Sequence, residues 1–280
     1  MRGIVWTVAL AVLLSGCAAA PRAVQTVEED AVLLTVDGRE IPAWRYFCWL
    51  DKSLDAPEAP SAETLKDRAL ADTVLYAAVE DMAAEYGLTL SEEETAALTP
   101  GIWEELETAQ WREMAAVGAL YGKLCAMEVP QETLAAFARE KGYKTVKRIL
   151  LPPGEGEEAA RVFARLNGGG EPAFDAVRAE RGETEPPRTF RPGDGAFPPE
   201  LEAAAAGMEA GQLSGILETE EGFSILYCEE TDLSGILIPW VDSCLSGRLA
   251  ASDVQVLPGY EKLDISARIP RKFSKNGQDF

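Results

Sequence analysis

The sequence contains no histidine at all. That absence removes His-based general base catalysis, Ser-His-Asp triads and histidine-ligated metals. Cysteine is scarce, five in 280 residues, and no two are spaced as CxxC. Thiols without such pairs or a histidine make no zinc pattern, so no metal and no cofactor is expected. Basic residues are also few: 26 Lys and Arg stand against 47 Asp and Glu, a net charge of -21. A chain of that charge repels phosphates, which excludes nucleic acid as a partner. The acids are spread over helix-like segments, which reads as a solubilising surface. The apolar run from Ile4 to Leu14 falls short of the about 20 residues that span a bilayer. What is present is a 47% hydrophobic content. It can supply real cores, and the length allows two domains or one large one.

The N-terminus reads as an export signal. Met1-Arg2 is a short positive start, and Leu14-Ser15-Gly16-Cys17 closes the apolar run. This resembles a bacterial lipoprotein signal, with small residues before a Cys that becomes the lipidated N-terminus. The plainer alternative is an ordinary signal peptide cleaved near Ala18 to Ala20. The first reading gives a leader over 1–16 and a polar, acidic tether over 17–30. It makes Cys17 the lipid anchor at the extracytoplasmic face of a bacterial membrane. Cys48, Cys125, Cys228 and Cys244 remain, mostly in apolar contexts that favour buried free thiols. An exported protein can form disulfides, for example Cys228 with Cys244, but the sequence does not establish one.

Ala31 to Val36 reads as a strand, turned by Asp37-Gly38, with Arg39 to Ile41 as a possible return strand. Pro42 suits the first turn of a helix carrying Trp44, Tyr46, Phe47, Trp49 and Leu50. Asp55 to Ser61 is a loop. Ala62 to Tyr86 is an amphipathic helix, with Gly87 at its C′ position. Ser91 and Glu94 have capping-box spacing. Trp103, Leu106, Gln110, Met114, Val117, Tyr121 and Leu124 form one helical stripe, and Pro130 opens a further helix ended by Gly142. The stripes read as core, and a groove for unfolded polypeptide is the alternative.

From Lys144 the texture becomes mixed. Lys144 to Leu151 is a β run stopped by Pro152-Pro153-Gly154. Helices follow over Glu157–Leu166, Phe174–Arg181 and Pro198–Ala206, with a loop-rich stretch from Gly182 to Gly195. Ser214 to Thr219 and Phe223 to Glu229 read as a hairpin. A last helix runs from Pro239 to about Leu249, followed by Val254 to Leu257 and a basic tail from Arg271.

Five short matches in order now point to a family. Arg148-Ile149-Leu150 ends the first strand, and Gly169 to Phe174 leads into the second helix. Pro199-Glu200-Leu201-Glu202-Ala203-Ala204 forms the third helix. Met208 to Ser214 precedes the hairpin, and Gly222-Phe223-Ser224-Ile225 lies within it. In that order residues 144–230 resemble the parvulin (PpiC-type) peptidyl-prolyl isomerase domain. The flanks resemble exported foldases of the PrsA/SurA type. The resemblance implies an α+β architecture: a mainly helical chaperone-like domain, built from N- and C-terminal segments, with an inserted parvulin-like β-α-α-β-α-β-β domain. It divides the mature chain into 31–143, 144–231, a returning segment 232–269 and the tail 270–280.

The resemblance also implies a function: isomerisation of X-Pro bonds in unfolded or newly exported polypeptides. The barrier to such rotation is roughly 18–20 kcal/mol, and no covalent intermediate is needed. A site must grip the proline ring, exclude water and stabilise the twisted amide. Carried over residue by residue, Leu201 takes the place of the proline-cupping Phe and Phe197 that of a pocket Met. Thr184 falls near the family's Cys or Asp, and Thr219 near a hairpin hydroxyl. Arg148 and Ser224 stand where the family has paired histidines. An arginine stays charged and cannot accept a hydrogen bond, so Arg148 needs an acid, with Glu183 and Glu185 as candidates. The rival reading is a catalytically degenerate parvulin fold that only binds clients. A two-lobed solute-binding lipoprotein is disfavoured because repeated βαβ patterning is missing.

Overall fold

The computed structural model describes residues 28, 31–53, 61–261 and 263–265. The leader, Cys17, most of the loop from Asp55 and the basic tail lie outside these residues. In chain order the elements are β1 (Val32–Val36), β2 (Arg39–Pro42), α1 (Ala43–Ser53), α2 (Ala62–Glu85), α3 (Glu92–Ala96), α4 (Thr108–Leu124) and α5 (Gln131–Lys141). Then come β3 (Lys144–Leu151), α6 (Gly156–Leu166), α7 (Gly170–Arg181), β4 (Arg188–Phe190), α8 (Pro199–Ala206), β5 (Leu217–Thr219), β6 (Gly222–Glu229), α9 (Leu237–Ala251), β7 (Val254–Val256) and α10 (Pro258–Glu261). The architecture is α+β. No described helix is long and apolar enough to cross a membrane. The chain divides into two compact units, one made of 1–74 and 253–280, the other of 75–252.

In the first unit β1 sits between β2 and β7, antiparallel to both. Asp37 and Gly38 have φ of 51° and 80°, the positive pair that a two-residue hairpin turn needs. Leu33, Leu34, Val36 and Ile41 are buried with Tyr46 and Leu50 of α1. The Tyr46 ring meets Tyr260 edge-on at 5.3 Å. Lys66 Nζ lies 4.9 Å from the centre of the Tyr260 ring.

The second unit holds a helical cluster and a four-stranded sheet. Val79 and Met82 of α2, Val117 and Leu124 of α4, and Trp240 and Val241 of α9 share one buried cluster. Ser91 and Glu94 close the capping box at 3.1 and 2.7 Å. Lys123 and the Ser91 backbone hold the Glu94 carboxyl down at about 2. The single stripe expected from Trp103 to Leu124 is two pieces, a 3-10 turn over Gly101–Trp103 and then α4. Gly101 takes φ 54°, which breaks the helix path, and Trp103 is buried edge-on to Tyr76. All four described cysteines are free thiols, so Cys228 and Cys244 are not joined.

The sheet has the order β4-β3-β6-β5 with every neighbour antiparallel. Directly paired residues point to one face, and alternate residues to the other. Ile149, Leu151, Ile225 and Tyr227 face α6 and α7, burying Val162, Leu166 and Phe174. Val146, Leu226 and Cys228 face α8, burying Leu201, Ala205 and Phe190. α7 begins at Gly170 and not at the expected Phe174: Pro172 is tolerated in a first turn, so glycine and proline obscure the start. β4 is the strand implied between the second and third helices, and it lies within the loop-rich stretch, where three residues are too short for a strand period to show.

Gly222, at the start of β6, has a physical reason. Its φ is 123°, and a Cβ there would stand 2.1 Å from the Leu151 carbonyl oxygen. Only glycine lets the hairpin approach β3 this closely.

Candidate active site

Two of the expected residues meet on the α8 face. Register places Arg148 opposite Leu226 and Leu150 opposite Ser224, so Arg148 and Ser224 are diagonal neighbours. Arg148 Nε donates to Ser224 Oγ at 3.0 Å. Arg148 Nη2 donates to Glu221 Oε2 at 2.6 Å. Glu221 lies in the β5–β6 turn and is half exposed, at 52% against 14% for Arg148. Thr219 fixes that turn: its hydroxyl accepts from the Glu221 N–H at 3.2 Å and faces the Gly222 carbonyl at 3.4 Å. The result is a polar chain, Thr219 to Glu221 to Arg148 to Ser224. No described residue accepts from Arg148 Nη1. Leu150, 37% exposed, provides apolar surface on the same face.

The acid expected for Arg148 is corrected by this geometry. Glu183 pairs with Arg181 at 3.2 Å and accepts from the Leu150 N–H at 3.4 Å. Arg178 Nη2 binds the Glu185 backbone carbonyl. Neither acid reaches Arg148. Glu221 does, because the hairpin register brings its turn beside β3.

Leu201 also needs correction. It is fully buried between the sheet and α8, so no ligand can reach it. It supports the site from beneath. Ser224 is equally sealed at 0% exposure and orients Arg148 without being open to solvent. Thr184 is exposed on the loop after α7, and no described hydrogen bond joins it to the Arg148 chain.

Phe197 is half-buried against the core of Phe190 and Leu201 on the α8 face. Its ring packs edge-on to Phe190 at 5.1 Å and carries the Arg188 guanidinium 5.3 Å from its centre. Arg188 pairs with Val146, which places it on the α8 face with Arg148. Glu221, Arg188 and Phe190 were missed by sequence reasoning. An acid in the tight turn Glu220-Glu221 was the one available signal for the first.

The opposite face carries a second ionic group. Lys147 Nζ meets Glu171 at 2.7 Å, Asp175 at 2.9 Å and Glu229 at 2.5 Å. Burial works to lower the Lys147 pKa, but the three carboxylates outweigh it and raise it. Lys147 in turn holds the Glu171 carboxyl below its usual range. Among the described residues no cluster of His, Cys, Asp or Glu could hold a metal ion.

Two cavities are lined by residues other than those of the Arg148 chain. One of about 480 Å³ is lined by Tyr143, Lys144, Cys228 and Thr231. Another of about 430 Å³ is a mainly apolar groove among the helices, lined by Leu75, Val79, Val117 and Leu245.

Residues 131–232 match the family model of the PPIC-type PPIase domain. The chain carries a PPIC-type PPIase domain. The match begins at Gln131, so it takes in α5 as well as the sheet and α6–α8. No curated protein sequence matches the chain. Among solved structures it is similar to the PrsA peptidylprolyl isomerase of Bacillus cereus, at 16% identity and a TM-score of 0.30, covering 90% of this chain and 94% of that one. PrsA of Bacillus subtilis gives 13% identity and a TM-score of 0.29, covering 80% and 92%. A SurA-like chaperone of Campylobacter jejuni gives 14% and 0.26, covering 79% and 93%.

Proposed function

We propose that the protein is an extracytoplasmic peptidyl-prolyl isomerase and foldase for exported, unfolded polypeptides, held at a membrane by lipidated Cys17. The observation that carries this reading is the PPIC-type PPIase domain with a cationic donor on its α8 face. The anchor rests on Leu14-Ser15-Gly16-Cys17 alone. The domain boundaries read from the sequence, with a client-binding helical part around the 144–231 insertion, belong to the same proposal.

The mechanism is non-covalent. Phe197, backed by Phe190, offers an aromatic face to the proline ring, and Leu150 adds apolar surface. As the amide twists, conjugation is lost and the lone pair concentrates on the prolyl nitrogen. Arg148 Nη1 donates to that nitrogen, while Ser224 and Glu221 hold the guanidinium in place. A pre-aimed donor stabilises the twisted state more than the planar one, which is the condition for catalysis. No proton is transferred, so the missing histidines are not needed for this step.

A protease-coupled assay on an Ala-Pro peptide tests the reading. The chain should accelerate isomerisation, and Arg148→Ala should lower kcat on the order of 10-fold or more. A rate equal to buffer removes the enzyme. The second reading, a binding-only parvulin fold, is favoured by the apolar groove at Val79, Val117 and Leu245. In that case Val117→Asp should abolish suppression of client aggregation while prolyl turnover stays at the buffer rate.

A further inference from the structure

Glu202 is an acid that nothing in the mechanism above uses. It is 95% buried, being 5% exposed, on the inner side of α8. No described cation pairs with it. Its Oε2 accepts from the Gly193 N–H at 2.6 Å, and its Oε1 from the Phe197 N–H at 3.0 Å. The backbone N–H groups of Gly195 and Ala196 add a smaller favourable effect on its charged form. Gly193 and Gly195 have φ of 101° and 74°, and these left-handed turns aim successive N–H groups inward. The bond from Arg191 to Asp194, at 2.8 Å, closes the loop outside. The loop is therefore wrapped around one carboxylate, and Phe197 is its last bonded residue. A carboxylate satisfied by several backbone donors is favoured in its charged form, and the Glu202 pKa is lowered accordingly, first by the Phe197 and Gly193 N–H groups.

We propose that Glu202 is a positioning residue: by gathering the backbone of Gly193 to Phe197 it sets the Phe197 ring against Phe190 in the shape that receives a prolyl side chain. This rests on the reading of Phe197 as the proline contact. It gives a role to the second Glu of Pro199-Glu200-Leu201-Glu202 and to Gly193-Asp194-Gly195. A carboxylate is required because all its partners are donors. An amide in its place would turn its own NH₂ toward N–H groups. Unlike Arg148, Glu202 acts only through Phe197 and touches no reacting atom.

The test is a double-mutant cycle on the full chain with the Ala-Pro peptide. Glu202→Gln should raise KM about 10-fold with kcat within about twofold, the split expected for lost binding. Phe197→Ala should do the same. The double variant should be no worse than either single one, because both remove the same contact. Additive effects, or an unchanged KM in Glu202→Gln, overturn the proposal. If the parent chain gives no turnover, the enzyme reading falls by itself. The same cycle is then read as peptide Kd by NMR titration, and absence of binding, additivity or an unchanged Kd in Glu202→Gln overturns the role of Glu202. If Glu202→Gln does not fold, Glu202→Asp keeps the charge but shortens its reach. Its KM, alone and with Phe197→Ala, decides by the same rule.

Discussion

Lys147 and Arg148 are neighbours on one strand, and the pleat sends them to opposite faces of one sheet. Lys147 is met by three carboxylates and sealed under α7. Arg148 is met by one half-exposed acid and a serine. The first face spends its cation on holding a helix to the sheet. The second leaves a donor with an amine to spare. On this acid-rich chain the Arg148 guanidinium is thus left with one carboxylate where Lys147 has three.

The largest way to break this comparison is to remove both faces together. Gly222→Ala puts a Cβ on the Leu151 carbonyl in a conformation that L residues avoid. It should cost about 4 kcal/mol or more and unfold the sheet, read as loss of the cooperative thermal transition. Leu201→Ala acts on the α8 face alone. A cavity under that helix should cost about 3 kcal/mol in denaturant unfolding. A variant that lost activity at unchanged stability would return Leu201 to the ligand.

Lys147→Met acts on the other face. It strands three carboxylates, two of them about half exposed, and should cost about 2 kcal/mol at neutral pH. Glu171 has its pKa lowered below an ordinary 4.5. A depressed carboxylate stabilises the fold above its unfolded pKa, and that contribution is lost as pH falls through the folded value. The parent should therefore lose this part of its stability in acid, and the gap to Lys147→Met should narrow below about pH 4.5. A gap that is constant with pH would show that packing, and not charge, holds α7. The smallest effect concerns the Arg148 face. Its prolyl turnover should be flat between about pH 6 and 8, since no histidine titrates there. A step near pH 6.5 would require a group outside the Thr219–Ser224 chain.

The bounds of β3 and β6 were close to legible, because β-branched and aromatic runs between glycines and prolines mark strands. The capping box at Ser91 was legible for the same local reason. Register was not. Glu183 and Glu185 were candidates only as acids, whereas the true partner, Glu221, depends on the register of β6 against β3. Burial misled in another way. Leu201 matched a motif position, but α8 turns that side chain into the core and leaves Phe197 at the rim. Glu202 was visible only as a letter in a motif, since its partners are backbone amides, which no side-chain pattern reports.

The pairing of β1 with β7 has a consequence in time. Val36 meets Val254, residues 218 positions apart, although the two strands lie side by side. For a chain that emerges N-terminus first, β1 has no partner on that edge until nearly the whole sequence has appeared. Closing so long a loop costs only slowly more with length. It is still a late event, and folding of the intervening residues first would shorten the search. The first strand made is among the last to be finished, and its open edge must wait without pairing elsewhere.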